Sequence, residues 1–318
     1  MRKMACVLLA LLLCAPAASG CAEEEGGMEA IINFRKAPFG YQEMTAAVKR
    51  LNAETGVILR ALTYRFYDAG SNVALELGRA EKTTGSMKAA RDTFTAETEE
   101  KSGYRYLLYR PKHAEEGGEG WPLVIFLHGI GERGDDPYAI ANEGLPKYLR
   151  AVDDFPMLVV APQCAGDSHW VEDREEAESM REINRLQIFV NEIMAQYPAD
   201  ARRVYLTGLS MGGRGTWKLA CLTPGVFAAI APICGRADAY DIAALQHVGI
   251  WMFHGLNDST VPFDYAVHTA KRLLAAEHAD WRFTVYPQAR HDAWTQAYQT
   301  PELYQFLLRH SLPEAETK

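Results

Sequence analysis

Beyond its first twenty residues the chain lacks any apolar run long enough to span a bilayer. It has no internal repeat, which excludes a repeat architecture. It also lacks a basic excess: 33 Lys and Arg stand against 41 Asp and Glu, a formal net charge of −8. Binding to a phosphate backbone needs a basic face, so nucleic acid is excluded as a partner. Cysteine is scarce, at six residues. Cys6 and Cys14 fall in an apolar leader, which leaves Cys164, Cys221 and Cys234 besides Cys21. Three is an odd number, so at least one thiol has no partner within the chain. Cys164 and Cys234 follow two strands that are not expected to be neighbours. Cys221 with Cys234 stays open as a pair in an oxidising compartment. Buried small hydrophobes are the favoured reading for all three.

What remains is globular composition. Of 318 residues, 48% are apolar, enough for one large α/β domain with a small N-terminal addition. The acidic runs at Glu23 to Glu25, Glu115-Glu116 and Glu172 to Glu178 read as solvated surface. Arg2 and Lys3 precede an apolar stretch from Ala5 to Leu13, and small residues lead into Ala18-Ser19-Gly20-Cys21. This is the layout of a secretory leader. Its end resembles a bacterial lipobox, in which the Cys becomes the lipidated first residue, although Ala18 stands where Leu is commonest. The alternative is an ordinary leader cleaved nearby. The expected division is a leader over 1–20, lipidation at Cys21, a polar tether over 21–28, an α+β extension over 29–92 and the main domain over 93–318. The chain would then be exported and held at a bacterial membrane by lipid alone. Nothing in the sequence sets its oligomeric state.

Within 29–92, Gln42 to Asn52 has helical spacing through Met44, Val48 and Leu51. Val57 to Phe66 and Val73 to Leu77 read as strands around a turn at Asp68 to Asn72. Thr93 to Thr98 and Tyr104 to Tyr109 read as antiparallel strands. Strand and helix then alternate, as a doubly wound, mostly parallel sheet requires. Buried strands are expected at Pro122 to Leu127, Met157 to Ala161, Arg203 to Thr207, Phe227 to Pro232, Gly249 to Phe253 and Trp281 to Tyr286. Helices are expected at Arg181 to Tyr197, Met211 to Leu222, Asp264 to Ala276 and Pro301 to Arg309.

One turn in this pattern carries chemistry. Gly208-Leu209-Ser210-Met211-Gly212 lies between an apolar strand and a helix. A Ser on such a sharp turn has its hydroxyl pushed clear of the backbone, and the flanking glycines let the turn close. Asp258 follows the strand at Gly249 to Phe253, and His291 follows the strand at Trp281 to Tyr286. The order Ser210, Asp258, His291 is that of an α/β-hydrolase triad. A neutral imidazole takes the hydroxyl proton, and a carboxylate fixes its tautomer and stabilises its charged form. Asp292 is too close to His291 in sequence to lie behind the ring. The Gly-rich loop His128 to Gly134 also follows a buried strand. The backbone N–H groups of Ile130 and Met211 are expected to hold the oxyanion. His128 reads as a loop-shaping residue, and Glu132 and Arg133 as braces of their own loop.

These segments resemble the α/β-hydrolases related to prolyl oligopeptidase and dienelactone hydrolase, and within them bacterial secreted esterases of the predicted-peptidase or feruloyl-esterase-like kind. The resemblance rests on Phe126 to Asp135, Val160 to Cys164, Thr207 to Gly213, Ala231 to Gly235, Phe253-His254-Gly255 with Asp258, and His291 to Trp294. It covers roughly Thr93 to Leu312. It implies the α/β-hydrolase fold, a Ser210/Asp258/His291 triad, no metal or other cofactor, and hydrolysis of a carboxylic ester. An acetyl or feruloyl ester on a plant-type polysaccharide is the expected substrate. The alternatives are a serine peptidase of the prolyl-oligopeptidase type and a surface binding lipoprotein without catalysis. Trp170, Trp294 and Gln163, on loops near the site, are candidates for lining the substrate pocket, where an aromatic acyl group would stack on the indoles.

Overall fold

The computed structural model describes residues 18–24, 27–33, 59–67, 87–112, 120–171, 176–237 and 240–314, with scattered positions between 42 and 53. Among these residues the strands form one sheet of eleven. They are β1 (Ala18–Glu24), β2 (Gly27–Asn33), β3 (Leu59–Tyr67), β4 (Thr95–Glu99), β5 (Tyr104–Tyr109), β6 (Trp121–Leu127), β7 (Leu158–Pro162), β8 (Ala199–Leu209), β9 (Ala229–Ile233), β10 (Gly249–Gly255) and β11 (Asp280–Tyr286). Their order is β1-β2-β3-β11-β10-β9-β8-β6-β7-β5-β4. The run from β11 to β7 is parallel, and β3 and β5 join its two sides antiparallel.

The strands of the parallel run are covered on both faces. Along β6 the side chains alternate between two cores: Leu123, Ile125 and Leu127 in one, Val124 and Phe126 in the other. A buried side chain of this size contributes about 2 kcal/mol by leaving water, which is why these strands are apolar at every position rather than every second one. The helix Glu176–Gln196 packs Ile183, Leu186, Phe189 and Ile193 into the first core, and the C-terminal helix Pro301–Leu308 packs Leu303, Phe306 and Leu307 into the second. The first of these begins five residues before the predicted Arg181, so part of the acidic run is helical. A helical turn at Ala90–Thr93 precedes β4, so the predicted strand starts at Thr95.

The N-terminal strands extend the main sheet. β3 pairs with β11, with Thr63 opposite Thr284, and β2 and β1 follow outward. Residues 18–24, divided in the sequence between leader and tether, form β1, with Cys21 opposite Ala30. The described positions between 42 and 53 are helical, and Val48 is buried. The predicted strand at 73–77, with Met44 and Leu51, lies outside the described residues.

The chain leaves β6 for β7 on one side and returns to β8 on the other. Adjacent strands whose connections diverge open a crevice at their carboxyl ends. The loop of Ile130 follows β6 and the turn of Ser210 follows β8, so both meet at this switch point.

Candidate active site

Ser210 caps the helix Met211–Leu222 with φ 53 and ψ −113, a backbone state that non-glycine residues rarely hold. The turn is tight enough to demand glycine beside it. A Cβ on Gly212 would lie 1.9 Å from the Leu127 carbonyl oxygen, and one on Gly208 would lie 2.6 Å from that of Gly212. The Ser210 amide donates to the Ile233 carbonyl at 2.9 Å, which ties the turn to the end of β9.

His291 stands between the other two predicted members. Its Nδ1 lies 2.8 Å from Asp258 Oδ2 and its Nε2 lies 2.8 Å from Ser210 Oγ. A carboxylate only accepts, so Nδ1 carries the hydrogen and Nε2 is free to accept from the hydroxyl. The His291 carbonyl is itself held, taking the Ala293 amide at 2.9 Å and the Cys234 thiol at 3.0 Å. The Asp258 side chain is fully buried. Its Oδ1 accepts the amides of Thr260 and Val261, both at 2.9 Å. Burial alone would raise the Asp258 carboxyl. The donors on His254, His291 and the Val261 amide outweigh it and hold the group well below the usual carboxylate range.

Both predicted oxyanion donors open helices. Met211 is the first residue of the helix Met211–Leu222, and Ile130 is the first of a 3-10 turn, Ile130–Glu132. Amides at a helix start have no intrahelical acceptor, so they can point at a ligand. Ile130 is 54% exposed, placing this turn at solvent rather than within the core. The loop is braced from its own residues, as the sequence predicts. Glu132 Oε2 accepts the Gly129 amide at 2.9 Å, and Arg133 donates to the carbonyls of Ile130 and Ser168 at 3.1 Å each. His128 is fully buried, with Nδ1 2.6 Å from the Gly129 carbonyl and Nε2 accepting the Cys164 amide at 3.0 Å. Burial, only partly opposed by the Gly129 carbonyl, pushes it down to about 4, so it is neutral at pH 7.

Two of the three pocket candidates do other work. Trp170 is wholly buried, its indole N–H donating to the His128 carbonyl at 2.9 Å and its ring packed on His128 and Tyr104. A ring enclosed on all sides cannot stack on an acyl group. Gln163 is buried as well, and its amide donates to the carbonyls of Glu132 and Asp136 at 2.9 and 2.8 Å. Both residues support the Ile130 loop from beneath. Trp294 does reach the site. Its ring meets the His291 imidazole edge-on, with centroids 5.3 Å apart, and its Nε1 donates to Glu143 at 3.0 Å.

Cys164, Cys221 and Cys234 are all free and buried. Ligand atoms of Cys234, Asp258 and His291 lie within 4.8 Å of one another, a spacing that a metal could bridge. Each is already engaged in hydrogen bonds, however, and burial raises the Cys234 thiol far above its ordinary value, which keeps it protonated. The sequence did not single out Cys234, Glu143 or His254 as site residues. His254 is buried beside Asp258, and its place four residues before that carboxylate, at the end of a strand, was the available signal.

Residues 162–302 match the model of the Dienelactone hydrolase family. Poly(3-hydroxyoctanoate) depolymerase of Pseudomonas fluorescens is 25% identical over 185 residues, 51% of this chain and 65% of that protein. Feruloyl esterase B of Neurospora crassa is 34% identical over 121 residues, 37% of this chain and 40% of that protein. Among solved structures, a thermostable esterase superposes with a TM-score of 0.59 at 29% identity, covering 69% of this chain and 64% of that one. The chain spans between 20% and 65% of the length of the curated relatives it matches. Ser210, Asp258 and His291 all fall inside the matched segment, whereas Ile130 lies before it. The chain has the α/β-hydrolase fold, and its segment 162–302 is similar to the dienelactone hydrolase family.

Proposed function

We propose that this protein is a serine carboxylic-ester hydrolase. The observation that carries the reading is the single imidazole of His291, 2.8 Å from both the Ser210 hydroxyl and the Asp258 carboxylate. His291 Nε2 takes the Ser210 proton as Oγ attacks the ester carbonyl. The carbonyl oxygen becomes an oxyanion, held by the amides of Ile130 and Met211; one such donor is worth about 3 kcal/mol. Asp258 stabilises the imidazolium that forms. The imidazolium returns its proton to the departing alcohol, leaving an acyl group on Ser210. Water, deprotonated by the same nitrogen, then releases the acid and restores the hydroxyl.

The substrate we favour is an acetyl or feruloyl ester of a plant-type polysaccharide or its oligosaccharides. Support comes from the name of the feruloyl esterase relative and from Trp294, an aromatic ring beside the reacting groups. Initial rates on methyl ferulate, acetylated xylan and p-nitrophenyl esters test this directly. Turnover of the first two supports it; cleavage of short peptides with no ester turnover overturns it. The leader pattern supports export with lipid on Cys21. Loss of membrane association in Cys21→Ala is the expected result, and retention of it would contradict lipidation.

A further inference from the structure

We infer that His254 is a positioning residue for the reaction: a second imidazole that clamps the Asp258 loop and shares the carboxylate oxygen facing His291. The inference rests on the ester-hydrolase reading of the site. His254 is fully buried near the end of β10, a strand paired on both sides, and its ring packs edge-on against Phe263 at 5.9 Å. Its Nε2 is 2.8 Å from the Val261 carbonyl oxygen. A carbonyl only accepts, so Nε2 carries a hydrogen. The same nitrogen is 3.2 Å from Asp258 Oδ2. One N–H is thereby shared between Val261 and the carboxylate.

This closes the loop in two ways. Val261 is held at its amide by Asp258 Oδ1 and at its carbonyl by His254. Asp258 Oδ2 is bracketed by two imidazoles, His291 at 2.8 Å and His254 at 3.2 Å. The loop carrying Asp258 cannot shift without breaking a bond to a residue that the sheet holds rigid. The second consequence is electrostatic. A donor on Oδ2 draws negative charge away from His291, so the carboxylate stabilises the imidazolium less than it would alone. The other titratable groups around the pair are Cys234 from the end of β9 and Asp292 beside His291, the latter turned to the Thr295 amide and hydroxyl.

The test compares His254→Met, which fills the space without a donor, with His254→Gln, which fills it with one. Circular dichroism and Tm establish that each is folded. Two readouts are taken: the acid limb of kcat/KM against pH on p-nitrophenyl acetate, and the titration midpoint of the His291 imidazole by NMR. In H254M both should move to higher pH by about half a unit to one unit, with kcat/KM at the plateau down about tenfold from the loosened Asp258. H254Q should stay within about threefold of wild type with the limb unmoved. An unmoved midpoint in folded H254M overturns the inference, whatever the rate, and so does a downward shift. Because the NMR readout needs no turnover, it decides the matter even if the wild type hydrolyses no ester, the result that would defeat the functional reading instead.

Discussion

Glu132 accepts the amide of Gly129 through its side chain at 2.9 Å, and this bond fixes the residue just before the proposed oxyanion donor Ile130. Burial raises the Glu132 carboxyl, and the Gly129 amide only partly opposes that. Its anchoring role is thus one of geometry. Glu132→Ala should lower kcat about tenfold with KM little changed, since a misaimed donor is felt in the transition state. Glu132→Gln keeps an acceptor for Gly129 and should lose far less. Steady-state kinetics on one p-nitrophenyl ester checks this; equal losses in the two variants would assign the effect to charge.

His128 makes stability pH-dependent. Its Nε2 accepts from Cys164, so protonation breaks that bond inside the core. The folded value of about 4 lies below the unfolded value of about 6.5. The unfolded chain therefore binds more protons between these limits, and stability falls as pH drops from about 6.5 to about 4. The full loss is on the order of 3 kcal/mol. Urea midpoints at neutral and acidic pH should show it. His128→Gln, which cannot titrate, should have a flatter dependence, and an identical slope would contradict the assignment.

The turn at Ser210 leaves no room for a methyl group at Gly212. Gly212→Ala would set a carbon against the backbone of Leu127, and neither segment can yield without moving β6 or the helix Met211–Leu222. A loss of about 3 kcal/mol or more is expected, read as a lower Tm or as insoluble expression. A variant with unchanged Tm would mean that the turn is looser than described.

Trp294 offers a test of the pocket. Trp294→Phe removes the hydrogen bond to Glu143 and keeps a ring against His291. It should cost about 1 to 2 kcal/mol of stability and leave the ratio of rates on methyl ferulate and p-nitrophenyl acetate near wild type. Trp294→Ala should lower that ratio. If the ratio does not change in the Ala variant, Trp294 orients His291 without touching the acyl group.

Much of the fold and the three-residue constellation was legible because each member follows an apolar strand. Ser210, Asp258 and His291 come after β8, β10 and β11, and parallel strands deliver their ends to one edge. The pocket was less legible. Trp170 and Gln163 also follow a strand end, but whether a loop side chain turns to the crevice or to the core depends on neighbours far along the chain. Trp170 finds its partner in the His128 carbonyl, 42 positions away. His254 was harder to read for a related reason: it lies in a strand buried on both faces, where its place four residues before Asp258 was the one hint of the group it meets. The pairing of β3 with β11 joins segments more than two hundred residues apart, and no local pattern announces it.

Ser210, 2.8 Å from His291 Nε2, is the proposed nucleophile. A fluorophosphonate probe reacts with such a hydroxyl, and mass spectrometry locates the adduct. Stoichiometric labelling of the wild type at Ser210 is expected, with none in Ser210→Ala and a large loss in His291→Ala. A folded wild type that takes up no probe, or one labelled at a different residue, would contradict it.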